Sequence, residues 1–242
     1  MFVGQSVIFV QEINSTNEYL KFFSKKKELV EGTVVVTSFQ TKGKGQHANE
    51  WQSEARQNAL FSVLLKPNHL TGTSINAMSF LTGLAVRATI QKYLPNSDVK
   101  VKWPNDVFVN NKKIAGILIE NRVHRRIESV IGIGLNLNQT EFVDLPNATS
   151  VKLQSGEQVS VDQVISDCLG FVEKYYLLSK RSDGVKQLME LYVSQLYKLN
   201  ESVFVDSEPF IITGVDINGS LELSNTRTNK SVAHKEAEII WN

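Results

Sequence analysis

Only one cysteine, Cys168, occurs in the 242 residues, so no internal disulfide can form, which fits a reducing cytoplasm. Val164, Phe171 and Tyr175 stand at helical spacing around it, which reads as a buried core thiol rather than a nucleophile. The four histidines, His47, His69, His124 and His234, lie far apart, so no protein-held zinc site is read. Net charge is nearly absent as well: 26 Lys and Arg against 25 Asp and Glu leave a formal +1. A domain that works on duplex nucleic acid carries a clear basic excess, so DNA is not an expected partner. No uncharged run approaches the length of a bilayer, and the opening Met1–Val10 alternates like a strand without a basic leader. A cytoplasmic protein with no membrane partner is expected. Internal repeats and low-complexity segments are also missing.

What remains is an ordinary globular composition, 42% hydrophobic and 21% charged, enough for one large core or a core with a small module. A strand at Val7–Val10 leads to Asn14-Ser-Thr-Asn17, where Ser15 or Thr16 caps a helix to about Ser24. Thr33–Ser38 is β-branched and unbroken, a buried strand. The polar, Gly-punctuated Phe39–Gln57 follows, too long for a mere connection. Asn58–Pro67 resumes as strand, and Ser74–Leu94 has the spacing of an amphipathic helix. Short strands are expected at Val99–Trp103, Val107–Val109 and Ile114–Glu120, with Asn110-Asn111 at a tight turn. Ile127–Asn138 is a further buried strand. A polar loop, then helices at Val161–Leu178 and Gly184–Leu196, complete a domain of residues 1–195. Residues 196–242 hold only short alternating strands, with a hairpin signal at "DINGS", and read as a small barrel.

Four stretches carry residue types suited to chemistry. In "QTKGKGQHANEW", Gly43 and Gly45 let backbone approach a ligand and Lys44 offers charge to an anion. The loop has neither a Walker ending nor a third dinucleotide-type glycine, and alone it reads equally as mobile surface. In "KWPNDVFVNNKKIAG", Trp103-Pro104 stiffens the chain ahead of Asn105 and Asp106, which could hold Mg²⁺ or polarise a phosphate. Lys113 faces them across the hairpin and could neutralise a phosphate or carboxylate. Taken singly, these residues fit a plain turn with solvated lysines. Gly132 and Gly134 in "GIGLNLN" open a slot on one strand face, with Asn136 able to read a base edge; close strand packing explains them as well. Ser15-Thr16-Asn17 fits a helix cap.

In this order and spacing, "INSTNEYL", "FQTKGKGQ…W", "KWPNDVFVNNKKIAGILIE" and "IGIGLNLN" closely resemble the biotin–protein ligases. The resemblance covers nearly the whole chain. It implies a mixed α+β fold, a mixed sheet backed by helices like the class II aminoacyl-tRNA synthetases, with an SH3-like barrel at the C terminus. It implies ATP, biotin and Mg²⁺, with biotinyl-5′-AMP and pyrophosphate formed before biotin passes to a lysine of a biotin carboxyl carrier domain. On this sequence, Ser15, Thr16, Asn17 and Gln40 would face the ureido ring, with Gly43 and Lys44 beside them. Gly116, Leu118, Gly132 and Gly134 would line the bicyclic slot. Lys113 would sit by the biotin carboxylate and α-phosphate, and Asn105 and Asp106 would position Mg²⁺ and phosphate. Gln46, Trp51, Lys102 and Asn136 would meet the nucleotide.

The loop departs from the family's commonest Gly-Arg-Gly-Arg-x-Gly-Arg-x-Trp: all three arginines and one glycine are replaced. The motif begins at Ser15, so the form without an N-terminal helix-turn-helix domain is expected, and a homodimer is a further expectation. A lipoate or octanoate ligase, and a biotin or nucleotide sensor without catalysis, are the competing readings. The Trp-Pro-Asn-Asp block argues against the first.

Overall fold

The computed structural model describes residues 2–46, 49–123, 125–205, 207–225, 230–234 and 239–241. His47, Ala48 and His124 lie outside them, as do residues 235–238, which include the first half of the expected strand "EAEIIW". Seven strands form one sheet in the order β1-β2-β3-β7-β6-β5-β4. They are β1 (Val7–Ile13), β2 (Val34–Gln40), β3 (Ala59–Leu65), β4 (Val99–Lys102), β5 (Asp106–Val109), β6 (Lys112–Val123) and β7 (Ile127–Leu135). Only β1 and β2 run parallel; the other neighbours are antiparallel, so the sheet is mixed as expected.

Two layers cover this sheet unequally. On one face pack α2 (Ala77–Tyr93), α4 (Val161–Ser179) and α5 (Gly184–Ser194), burying Phe61, Val63, Ile131 and Ile133 with Met78, Leu81 and Val172. On the other face, α1 (Thr16–Lys26) covers a smaller cluster of Leu20, Val35, Leu64 and Val130. The rest of that second face is where the polar and glycine residues gather.

The helix expected to be amphipathic is not. Ser74–Leu94 resolves into a 3₁₀ turn, Gly72–Asn76, followed by α2, and α2 buries eleven residues, Thr82 and Thr89 among them. It lies between the sheet and α4 and α5, so apolar and small residues are needed all round. Gly83 shows how close the layers come: a Cβ there would lie 3.0 Å from Tyr192 Cε2 and 3.1 Å from Val101 Cγ1. Thr82 and Thr89 satisfy their hydroxyls on the carbonyls four residues back. The stretch after β7, read as a polar loop, holds a short helix α3 (Val151–Ser155), capped by Ser150 and closed by Gly156 at φ 80°. Cys168 is fully buried, which pushes its thiol up to about 12.

The C-terminal strands are β8 (Ser202–Val205), β9 (Glu208–Val215), β10 (Leu221–Asn225), β11 (Lys230–His234) and β12 (Ile239–Ile240). They make a separate antiparallel sheet in the order β11-β10-β9-β8-β12, the small all-β module that the sequence pattern predicts. Among the described residues no helix is long and apolar enough to cross a membrane.

The first turn of α5 fixes how that helix meets α4. A Cβ on Gly184 would lie 1.9 Å from the Leu178 carbonyl oxygen, with backbone on both sides of the clash. Overpacking of this kind costs about 1–3 kcal/mol, so Gly184→Ala should lower the melting midpoint by roughly 5 °C. An unchanged midpoint in scanning calorimetry would show that α5 can shift freely at its start.

Candidate functional site

The second face of the sheet carries a glycine floor. On β6 and β7, Gly116 stands opposite Gly134 and Leu118 opposite Gly132, and β3 continues the rows with Leu60 and Ser62. Each glycine makes room for a named side chain. A Cβ on Gly132 would lie 2.4 Å from Asn17 Oδ1, one on Gly134 2.5 Å from Trp51 Cε2, and one on Gly116 2.8 Å from Trp51 Cζ3. The slot expected at these positions therefore exists, and the Trp51 indole lies against two of its glycines. Its Nε1 is buried and has no hydrogen-bond partner.

The start of α1 forms one end of the site. Ser15 occupies the N-cap position, yet its side chain makes no capping hydrogen bond, so the plain cap reading fails. Ser15, Thr16 and Asn17 are all buried polar residues. Thr16 donates its backbone N–H (2.8 Å) and its hydroxyl (3.1 Å) to Gln40 Oε1. Ser62 Oγ lies 2.7 Å from Thr16 Oγ1 and 2.6 Å from Asn17 Oδ1. Asn17 Nδ2 in turn donates to the Leu118 carbonyl and to Glu120, whose other oxygen takes Lys21 at 2.6 Å. Ser62 and Glu120 escaped the sequence reading. Ser62 left one signal, a lone hydroxyl inside the apolar run "ALFSVLL".

At the other end stands an ion pair. Lys113 Nζ is 2.7 Å from Asp106 Oδ1 and 5.9 Å from the centre of the Trp51 ring. The register of β5 on β6 explains how they meet. Asp106 faces Gly116 and Val107 faces Ala115, but Phe108 faces Lys113, so β6 carries one extra residue. Cross-strand partners share a face and side chains alternate along a strand. The bulge thereby turns Lys113 onto the face of Phe108 and Asp106; without it, Lys113 would point into the α2 side. Asn105 is fixed separately, with its Nδ2 donating to the Ile117 carbonyl and its own carbonyl accepting from Ile117 N.

The loop between β2 and β3 closes the top. Lys44 bridges Glu50 across a short antiparallel turn, and Trp51 N donates to the Gly43 carbonyl at 3.0 Å. Gly43 has to be small, because a Cβ there would meet the Trp51 carbonyl oxygen at 2.5 Å. Lys44 forms an ion pair with Glu18 of α1, which lowers the Glu18 pKa and raises that of Lys44. The loop is thus anchored beside Ser15–Asn17.

These walls enclose a cavity of about 840 Å³, within the range of small-molecule sites. Every residue singled out from the sequence lines it except Gly43, Lys102 and Asn136. Gly43 acts behind the wall, as just described. Lys102 reaches over the Phe108 and Trp241 rings (4.9 and 4.8 Å to their centres), and burial pushes its ammonium pKa down, with Asp106 opposing. Asn136 is buried beyond Gly134; its Nδ2 donates to Thr149 O at 3.0 Å, while its Oδ1 is buried with no partner. Among the described residues no cluster of three or more His, Cys, Asp or Glu could hold a metal alone.

A glycine-floored cavity with neutral donors and acceptors at one end and a Lys–Asp pair at the other, on the open face of a mixed sheet, defines a small-molecule-binding α+β protein. The sequence pattern of the Biotin/lipoate A/B protein ligase family matches residues 9–138, more than half of the chain, and the chain belongs to that family. The Bifunctional ligase/repressor BirA of Bacillus spizizenii is 34% identical over 201 residues, 78% of this chain and 60% of that protein. Biotin--protein ligase 1, chloroplastic, of Arabidopsis thaliana is 29% identical over 214 residues, 85% of this chain and 56% of its own. The chain thus spans less than two thirds of the length of these relatives. Among solved structures, the biotin protein ligase from Aquifex aeolicus in complex with biotin and ATP superposes with a TM-score of 0.83 at 24% identity. That match covers 98% of this chain and 100% of the other, and it is a likeness of fold.

Asn17 is held on both its amide atoms, so a methyl on Gly132 cannot simply push it aside. Gly132→Ala should lower the melting midpoint by several degrees, on the scale of about 1–3 kcal/mol of overpacking. Gly45→Ala, with its nearest neighbour at 3.4 Å, should leave the midpoint nearly unchanged. Equal midpoints for the two variants would show that Asn17 is not clamped.

Proposed function

We propose that the protein is an ATP-dependent biotin–protein ligase. It joins biotin and ATP into biotinyl-5′-AMP with release of pyrophosphate, then passes the biotinyl group to a lysine of a biotin carboxyl carrier domain. The observation that carries this reading is the polarity of one continuous cavity. Around Thr16 and Gln40 its α1 end presents neutral groups, matching a neutral urea, with Lys44 at the rim paired to Glu18, and its β5–β6 end offers the Lys113–Asp106 pair, matching a carboxylate and a phosphate.

In this reading the ureido ring meets Ser15, Thr16, Asn17 and Gln40, with Gly43 shaping the loop and the Lys44 backbone beside it. Gly116, Leu118, Gly132 and Gly134 form the floor for the fused rings, and the Trp51 indole, which lies against Gly116 and Gly134, has to swing off that floor to serve the nucleotide end. As the biotin carboxylate attacks the α-phosphorus, the bond to pyrophosphate breaks and negative charge grows on the α-phosphate oxygens. Lys113 meets that charge from a fixed position, which stabilises the transition state more than the ground state. Gln46, Trp51 and Lys102 belong to the nucleotide end with Asn136. The Asn136 Oδ1, buried without a donor, suits an adenine amino group. One carboxylate and one amide are too few for a protein-only Mg²⁺ cage but enough for an ion carried on the triphosphate, where it would neutralise phosphate charge. Asn105 and Asp106 are the residues to hold it.

We place the catalytic unit at residues 1–195 and the β-module at 196–242. A homodimer would use β6, whose Leu118–Val123 half pairs with β7 on one side. Incubation with biotin, ATP, Mg²⁺ and a carrier domain, followed by an avidin blot, should show a labelled carrier. Acylation by lipoate instead, or adenylate binding without transfer, would overturn the reading. Lys113→Ala should slow biotin-dependent pyrophosphate release by roughly 10²-fold, the scale of losing one charge-stabilising donor. Release at the wild-type rate would remove Lys113 from the role given to it.

A further inference from the structure

Lys113 on β6 and Asn136 just past β7 are already joined through Asn136 N, which donates to Ile114 O at 2.9 Å, and one short segment holds both residues as well. Asn147–Val151 runs parallel alongside the first residues of β6. Lys113 N donates to Asn147 O at 2.7 Å, and Thr149 N donates to Lys113 O at 2.9 Å, so the segment uses both backbone groups of Lys113. On its other side, Thr149 O accepts from Asn136 Nδ2 at 3.0 Å, and Val151 N donates to Asn136 O at 3.1 Å. Thr149 itself is 1% exposed, and its hydroxyl accepts from Gln154 Nε2 at 2.9 Å. Gln154 is tied in turn to the β5–β6 hairpin tip, where Asn110 Nδ2 donates to its Oε1 at 2.8 Å.

We propose that this strap is a positioning device for the adenylation step, with Thr149 and Gln154 as its positioning residues; the proposal rests on the ligase reading above. Neither residue lines the cavity. Together with the Asn136 N–Ile114 O bond, the strap supports the distance between the cation for the α-phosphate and the acceptor for the base. It also decides which way the Asn136 amide faces. With one Nδ2 hydrogen given to Thr149 O, the amide is oriented so that Oδ1 stays without a partner, and an acceptor there selects a base that presents a donor. The Gln154 link sets how firmly Thr149 sits, because it joins the strap to the same hairpin that carries Lys113. The ureido end of the site, at Thr16 and Gln40, shares no bond with the strap.

Thr149→Val and Gln154→Leu each remove the link while leaving the backbone bonds free to form. Each should raise the apparent KM for ATP about fivefold, the scale of one lost hydrogen bond, with the biotin Kd changed by less than about twofold. The double variant should be no worse than either single one, and Thr149→Ser should restore the wild-type KM. Hydrogen exchange of the unliganded protein should quicken at the Lys113 and Thr149 amides together, and not at Ile119 in the β6–β7 ladder. An unchanged KM for ATP with unchanged exchange overturns the proposal. So does a parallel loss of ATP and biotin binding that Thr149→Ser fails to repair, since that is damage to the whole fold. The readings separate cleanly: a wild-type protein that labels no carrier fails the ligase reading, while exchange at Lys113 and Thr149 still decides the strap.

Discussion

One extra residue in β6 decides which way Lys113 faces, and the charged end of the site depends on it. In a regular antiparallel pair, a lysine three residues before Gly116 would point to the face opposite that glycine. Gly116 shares its face with Asp106, so an unbulged hairpin would turn Lys113 among the apolar residues of α2 and put Lys112, farther toward the hairpin tip, on the carboxylate's face. The register shift between Val107 and Phe108 removes that conflict. Both outcomes of the alternation are then met: Ile114 goes fully into the core, and Lys113 closes on Asp106 at 2.7 Å. The turn at the tip supports this geometry, since Asn110 and Asn111 both hold positive φ, 47° and 64°.

Most of the fold was legible because its signals are local. A β-branched run predicted β2, the apolar run "ALFSVLL" read as strand, and Asn-Asn and Asn-Gly pairs predicted two hairpin turns. What was not legible depended on neighbours far along the chain. α2 was read as amphipathic because its large apolar residues repeat near 3.6, but Thr82 and Thr89 are buried and bond to their own helix, so polarity did not mean exposure there. The bulge could not be read at all: nothing in "VNNKKIAG" says whether Lys112 or Lys113 faces Asp106, and only the pairing of β6 with both neighbours settles it. For the site, the glycines and the polar residues of "INSTN" carried the information. Beyond the lone hydroxyl of Ser62 in β3, Glu120 of β6 and Thr149 did not announce themselves, because a glutamate in a strand and a threonine after a loop are common everywhere.

The glycine rows show why the floor must be built from two strands at once. Gly116 and Gly134 are direct cross-strand partners, as are Leu118 and Gly132. A single glycine would leave a dent one residue wide, whereas a facing pair leaves a groove that a flat ring can enter, as the Trp51 indole does. The cost is a weak stretch of sheet, since glycine contributes no side-chain packing. That cost is offset on the far face, where Ala115, Ile117, Ile133 and Leu135 alternate with these positions and are all buried in the main core.

The same logic reaches the C-terminal module. Trp103 Nε1 donates to Gly219 O at 2.9 Å, and Asn76 Nδ2 donates to Asn218 O at 2.6 Å, so the β9–β10 turn rests both on the residue that precedes Pro104-Asn105-Asp106 and on the 3₁₀ turn before α2. Gly219 holds φ 77°, which presents its carbonyl to the indole at a position where other residues would be strained. On the opposite sheet face, Lys102 lies over Trp241 and Phe108, and Tyr197 stacks beside Trp241. The C-terminal module therefore meets the Lys102–Trp103 dipeptide on both sides: the Gly219 carbonyl takes the indole N–H, and the Trp241 ring, with Phe108 of β5, faces the ammonium. A rigid Trp-Pro step has a purpose only if something outside the step holds it still. In this chain that support comes from residues more than a hundred positions later, which ties the placing of Asp106 to the folding of the C-terminal strands.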